Sequence, residues 1–140
     1  MKAKRRVLFL CTGNSCRSQM AEGLLRAEAG DLFEACSAGI EPHGLNPLAV
    51  QVMAELDIDI SSHTSEAVEV YADESVDVAV TVCDHAREIC PVFPGVDQQL
   101  YWSFDDPAVA TGTVEERLPL FRRVRDEIRS RVRDFIEEAG

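Results

Sequence analysis

Val7-Leu8-Phe9-Leu10 is an unbroken apolar run that leads without a spacer into Cys11-Thr12-Gly13-Asn14-Ser15-Cys16-Arg17-Ser18. Met20, Leu24 and Leu25 then recur at helical spacing. An apolar run of that length reads as a buried central strand of a parallel sheet. The turn from it into the next helix then lies at the carboxyl edge, where open α/β sheets bind ligands. The rest of the chain repeats the alternation. Phe33 to Ser37 reads as a second strand closed by Gly39. Asn46 caps, and Pro47 opens, a helix reaching about Leu56, with Val50, Met53, Ala54 and Leu56 turned inward. Ser65 is placed to cap a short helix ending at Ala72. Val76 to Val82 is rich in β-branched residues, predicting a strand that ends at Cys83, and Gln99 to Trp102 a short last strand. Thr113 with Glu116 forms a capping-box pattern ahead of Phe121, Val124, Ile128, Val132, Phe135 and Ile136. Pro119 predicts a turn or kink around 117–119, with the main helix running on to about Glu138. The expectation is a single α/β domain over residues 1–140, a three-layer sandwich with a central parallel sheet of about four strands flanked by helices.

The segment from Cys11 to Ser18 has the composition of an anion cradle. Backbone N–H groups of a strand-to-helix loop, and of the helix N-terminus, can point at a bound oxyanion. The same end of the helix and the Arg17 guanidinium favour a thiolate at Cys11. Arg17 can hold two equatorial oxygens at once. Gly13 permits a close backbone approach, and Asn14 tolerates left-handed geometry while its amide braces the loop. Ser18 can donate to the sulfur. Thr12, Gly13, Asn14, Ser15, Cys16, Arg17 and Ser18 are therefore the candidate oxyanion-binding residues. A buried, inert cysteine at the end of Val7–Leu10 explains Cys11 but not Gly13, Asn14 or Arg17.

Composition limits the rest. A formal charge of −11 argues against nucleic acid and an anionic membrane surface as partners. Local donors must overcome that field to hold an anion. No apolar run approaches the roughly 18–20 residues that span a bilayer. The basic start with its short apolar run lacks the length and cleavage site of a signal peptide, so the expected location is the cytosol. Five cysteines, an odd number in a reducing compartment, argue against a structural disulfide framework.

Thr81-Val82-Cys83-Asp84-His85-Ala86-Arg87-Glu88-Ile89-Cys90-Pro91 supplies two further cysteines, Cys83 at a strand's carboxyl end on the same sheet edge as Cys11. Three thiols in the roles of nucleophile, resolver and shuttle imply a two-electron reduction of the bound anion, with local rearrangement where α-carbons exceed roughly 7 Å. Two other readings stand beside it. One is zinc held by Cys83, His85 and Cys90 with Cys11 or Cys16, at spacings that match no compact zinc pattern and beside an arginine that would repel a cation. The other is that Cys83 and Cys90 merely pack. Cys36 reads as such a packing residue, and Cys16 as a bystander or a site of unproductive oxidation. Asp106, aimed by Pro107, is the candidate acid, with Asp105 the weaker choice. His43, His63 and His85 read as structural or surface residues.

At these residues the chain resembles the thioredoxin-coupled arsenate reductases, which share the fold of the low-molecular-weight protein tyrosine phosphatases. The similarity runs through CTGNSCRSQMAEG (11–23), Ser37 to Glu41, His43-Gly44, Asn46-Pro47, DIDISSHTS (57–65), Thr81 to Cys83, Cys90-Pro91, Trp102 and Phe104 to Ala108. The resemblance implies that Cys11 attacks arsenate (phosphate and sulfate serving as analogues), Arg17 and the loop stabilise it, and Asp106 protonates the leaving oxygen. Cys83 then forms a disulfide with Cys11 and releases arsenite, Cys90 moves the disulfide to Cys83–Cys90, and thioredoxin reduces it. A potassium ion beside Asn14, Glu22, Ser37 and Glu66 occurs in some members, although Glu66 stands where that site has aspartate. A monomer is expected. The alternatives are a phosphatase working through a phosphocysteine, for which Ala108-Val109 replace the usual tyrosines, and a non-enzymatic oxyanion or redox sensor. Mycothiol or glutaredoxin coupling is a variant of the reductase reading, and an intramolecular Cys90 favours thioredoxin.

Overall fold

The apolar run forms strand β1 (Arg5–Cys11), which pairs in parallel on both sides. In the computed structural model, residues 4–83, 93 and 95–139 are described. Within them β1 is followed by helix α1 (Arg17–Ala29), β2 (Phe33–Gly39), α2 (Pro47–Ala54), β3 (Val78–Cys83), β4 (Gln98–Ser103) and α3 (Val114–Ala139). The sheet order is β2-β1-β3-β4 with every pair parallel, so β1 lies inside the sheet and all four strands end at one edge. Cys11 pairs with Gly39, and Leu10 with Thr81.

Alternation along β1 sends its apolar residues to two separate cores. Val7, Phe9 and Cys11, with Val78, Val80, Val82 and Trp102, face a layer built from Met20, Leu24 and Leu25 of α1, Val52 and Met53 of α2, and Phe121, Val124 and Ile128 of α3. Leu8 and Leu10 face the other way, onto Cys36, Ala38, Val76, Ala79 and Phe93, with Val68, Tyr71 and Val96 beside them. Phe9 and Phe121 are completely buried, each contributing about 1.5–3 kcal/mol by removal from water. Among the described residues no helix is long and apolar enough to cross a membrane.

Four local expectations change. The inward face of α2 is Leu48, Ala49, Val52 and Met53, while Val50 is half-buried and Ala54 exposed. The helix is apolar nearly all round, so its own pattern does not set its rotation. Residues 65–72 hold only a 3₁₀ turn, Val68–Tyr71, because the Ser65 hydroxyl is spent on the carbonyls of Gly13 and Asn14 (3.2 and 3.0 Å). Strand β3 starts at Val78 rather than Val76, since the Asp77 carboxylate accepts from the Arg6 N–H (2.7 Å). Pro119 lies inside a continuous α3. The N–H it lacks would have met the carbonyl of Glu115, which stays at the exposed first turn, so a separate turn at 117–119 is unnecessary. Thr113 does cap this helix, accepting from Glu116 N at 3.2 Å.

Candidate active site

Every carbonyl from Thr12 to Ser15 is held by a neighbouring segment. Thr12 O accepts from Glu41 N (2.9 Å), Gly13 O from His43 N (2.9 Å) and Ser15 O from Asn46 N (3.0 Å). Asn14 O accepts from the Ser65 hydroxyl and from Gln19 Nε2 (3.1 Å). In a planar trans peptide the following N–H points opposite to its carbonyl. The amides of residues 13 to 16 are thereby turned inward, and Asn14 N indeed donates to Cys11 Sγ at 3.2 Å. Asn14 adopts the left-handed conformation, φ 48°. Gly39 lets the loop lie against β2: a Cβ there would stand 2.7 Å from Thr12 O and 2.9 Å from Asn14 N.

The nucleophile candidate Cys11 is 2 % exposed, and its sulfur lies 2.8 Å from Ser18 Oγ. Arg17 opens α1, whose N-terminus has no side-chain cap and so keeps its first amides for a ligand. Its guanidinium is buried, with Nη1 donating to Phe104 O (3.2 Å) and Nη2 standing 3.7 Å from Asp106 Oδ2. Asp106 Oδ1 accepts from Ala108 N (3.0 Å), which anchors one carboxylate oxygen and leaves the other towards Arg17. Asp105 turns away to pair with Arg123 at 2.7 Å. A cavity of about 440 Å³ opens over Cys11, Arg17 and the loop, walled by His43, Leu45 and Pro47 on one side and Asp106 and Ala108 on the other. Such a site can hold a tetrahedral oxyanion against a thiolate, with a carboxyl group across from the sulfur. The loop residues, Arg17, Ser18 and Asp106 are thus brought together as the sequence implied.

Cys83 shares the sheet edge with Cys11 but not the face. Register and alternation put it with Ala79 and Thr81, opposite the face of Cys11, Val80 and Val82. It is buried and disulfide-bonded, whereas Cys11, Cys16 and Cys36 are free. His85 and Cys90 lie outside the described residues. Burial pushes the Cys16 thiol up to about 12 and the Cys36 thiol likewise up to about 12, so both stay protonated near neutrality.

The four groups considered for potassium are each engaged with protein partners, Glu66 through Oε1, which accepts from Thr64 Oγ1 (2.6 Å). Ser37 Oγ donates to Glu22 Oε1 (2.6 Å), Glu22 Oε2 is bridged by Arg26, and Asn14 Oδ1 accepts from Gln19 Nε2 (2.8 Å) and Glu66 N (3.0 Å). With a guanidinium already on Glu22, this donor set does not fit a potassium ion. Among the described residues no cluster of three or more His, Cys, Asp and Glu is placed to hold a metal. Sequence reasoning missed Gln19 and the role of His63. Gln19 is a fully buried polar residue joining α1 to the loop and to the 63–64 segment. Helical spacing groups Gln19 with Glu22 and Arg26, away from the Met20, Leu24 and Leu25 stripe, so the sequence carries no signal of its burial.

Residues 6–139 match the family described as low molecular weight phosphotyrosine protein phosphatase. The chain is 51 % identical over 134 residues to an arsenate reductase of Halalkalibacterium halodurans, covering 96 % of each chain. It superposes with a TM-score of 0.82 and 31 % identity on an arsenate reductase in the phosphate binding state, over 97 % of this chain and 99 % of that one. It also resembles the thioredoxin-dependent arsenate reductase of Corynebacterium glutamicum (TM-score 0.73, 25 % identity, 98 % of this chain and 62 % of that one).

Proposed function

The chain belongs to the low molecular weight phosphotyrosine protein phosphatase family, and from that premise we propose that it reduces arsenate to arsenite. The observation that carries reduction over ester hydrolysis is Cys83: a disulfide-bonded cysteine at the end of the strand beside the nucleophile's own. A phosphatase has no use for it. Arsenate sits in the inward amides of residues 13–16, with two oxygens on Arg17. The Cys11 thiolate attacks arsenic, and an As–O bond breaks as Asp106 gives its proton to the departing oxygen, releasing water. Cys83, as a thiolate, then attacks Cys11 Sγ. The S–As electron pair passes to arsenic, which leaves as arsenite, and a Cys11–Cys83 disulfide remains. This step requires the end of β3 to bring Cys83 across the sheet rim. Cys90 attacks Cys83, restoring the Cys11 thiolate and forming Cys83–Cys90. A thioredoxin dithiol supplies the two electrons that reopen it. Ala108 at the cavity wall offers no ring against which an aromatic ester could stack. The proposed setting is a cytosolic monomer.

The test is arsenate-dependent NADPH consumption with thioredoxin and thioredoxin reductase, for the wild type and Cys90→Ser. Multiple turnovers in the wild type that stop in Cys90→Ser support the relay. A wild type that hydrolyses aryl phosphates but never consumes NADPH refutes it in favour of the phosphatase.

A further inference from the structure

Gln19 is completely buried and takes no part in the steps above. Its Nε2 faces Asn14 Oδ1 (2.8 Å), Asn14 O (3.1 Å) and Thr64 O (3.0 Å), the two protons shared among three acceptors. None of those atoms can donate, so the amide has one orientation, and Oε1 must accept from His63 Nδ1 (2.9 Å). On the far side of the imidazole, Nε2 meets Arg26 Nη1 at 2.7 Å. A guanidinium only donates, so Nε2 carries the lone pair and Nδ1 the proton. Burial and Arg26 lower the His63 pKa and keep the ring neutral, against the opposing pull of Glu22 and Asp59.

The same logic runs on towards the sulfur. Asn14 Oδ1 accepts from Gln19 and from Glu66 N, which leaves Nδ2 to donate to Ser18 Oγ at 3.0 Å. With that acceptor site used, the Ser18 hydroxyl turns its hydrogen to Cys11 Sγ, 2.8 Å away. Donation therefore points one way at every step, from Arg26 through His63, Gln19, Asn14 and Ser18 to Cys11. We infer that Gln19 and His63 are positioning residues that fix the polarity of this relay, so that Ser18 always donates to the Cys11 sulfur and holds it as a thiolate. The inference rests on reading Cys11 as the nucleophile. Arg17, Asp106, His43 and Cys16 also line the cavity around that sulfur and are unchanged in the variants below.

The experiment is the rate of Cys11 alkylation by iodoacetamide as a function of pH, mapped by mass spectrometry, with melting temperature recorded alongside. His63→Gln can accept from Arg26 and donate to Gln19, so it keeps the wild-type profile. His63→Leu and Gln19→Met break the relay; a shift of about one pH unit makes alkylation at pH 7 about tenfold slower. Their rates rejoin the wild type at alkaline pH, where ionisation is complete without the donor, as a merely damaged fold would not. If Gln19→Met unfolds, the His63 pair carries the test. A wild-type profile in His63→Leu, or equal shifts in His63→Gln and His63→Leu, overturns the inference. Arsenate turnover surviving in Cys11→Ser would instead sink the nucleophile assignment, whatever the alkylation profiles show.

Discussion

Gly39→Ala adds one methyl group where the oxyanion loop has no slack. Its Cβ would sit 2.7 Å from Thr12 O, 2.9 Å from Asn14 N and 3.0 Å from Asn14 Cβ, all short of the 3.4 Å at which ordinary contact begins. The methyl cannot retreat, because Gly39 is paired in register with Cys11, and its own N–H is bonded to Glu66 O at 2.8 Å. The loop must therefore yield by roughly half an ångström or more, and the atom displaced, Asn14 N, is the one that donates to Cys11 Sγ. Overpacking of this kind costs about 1–3 kcal/mol. For a chain of this length that lowers the melting temperature by about 3–10 °C. A misplacement approaching 1 Å at reacting groups costs up to about a hundredfold in rate, so kcat/KM for arsenate should fall roughly 10–100-fold. Differential scanning calorimetry gives the first number and coupled NADPH consumption the second, measured at a temperature where the variant is folded. Wild-type turnover together with a melting temperature unchanged within a degree would refute the reasoning, since it would mean that the loop tolerates movement at no cost.

Native-state alkylation at pH 8 should label Cys11 well ahead of Cys16 and Cys36, whose thiols, pushed up to about 12 by burial, leave a thiolate fraction of only about 10⁻⁴; comparable labelling of Cys36 would contradict this. His63 has its folded pKa lowered, so the unfolded chain binds the proton more readily. Its share of stability is complete above the ordinary value of about 6.5 and is lost as pH falls below it. Melting temperatures between pH 7.5 and 5.5 should accordingly drop more steeply in the wild type than in His63→Gln. Phe121→Ala, at a fully buried position of α3, should destabilise by about 3–5 kcal/mol in urea unfolding, and a cost below about 1 kcal/mol would mean that α3 is not packed as described.

The chain from Val7 to Ser18 was readable residue by residue because everything there is local: a strand, a turn and the start of a helix, each with its own residue preferences. So was the sheet, since β-branched runs separated by helical spacing leave few topologies. What escaped depends on residues far apart in the chain. Ser65 looks like a helix cap until the Gly13 and Asn14 carbonyls are brought to it. Gln19 and His63 acquire meaning only when α1 and the 63–66 segment meet at Asn14. The rotation of α2 was lost for a different reason, an excess of apolar residues that fits several phases equally well. Cys83 was placed on the correct edge, and its face follows only once the register with β1 is known.

That register has a kinetic reading. With Cys11 and Cys83 leaving the sheet on opposite faces, the proposed mechanism makes the sheet a partition between an oxidising half-reaction and a reducing one that meet around its rim. Phosphate filling the anion cavity would then compete with arsenate while leaving the approach of a reductant untouched. In steady-state terms phosphate should raise the KM for arsenate at every thioredoxin concentration and leave the KM for thioredoxin where it was. An enzyme built this way can be slowed at its entrance without jamming its exit.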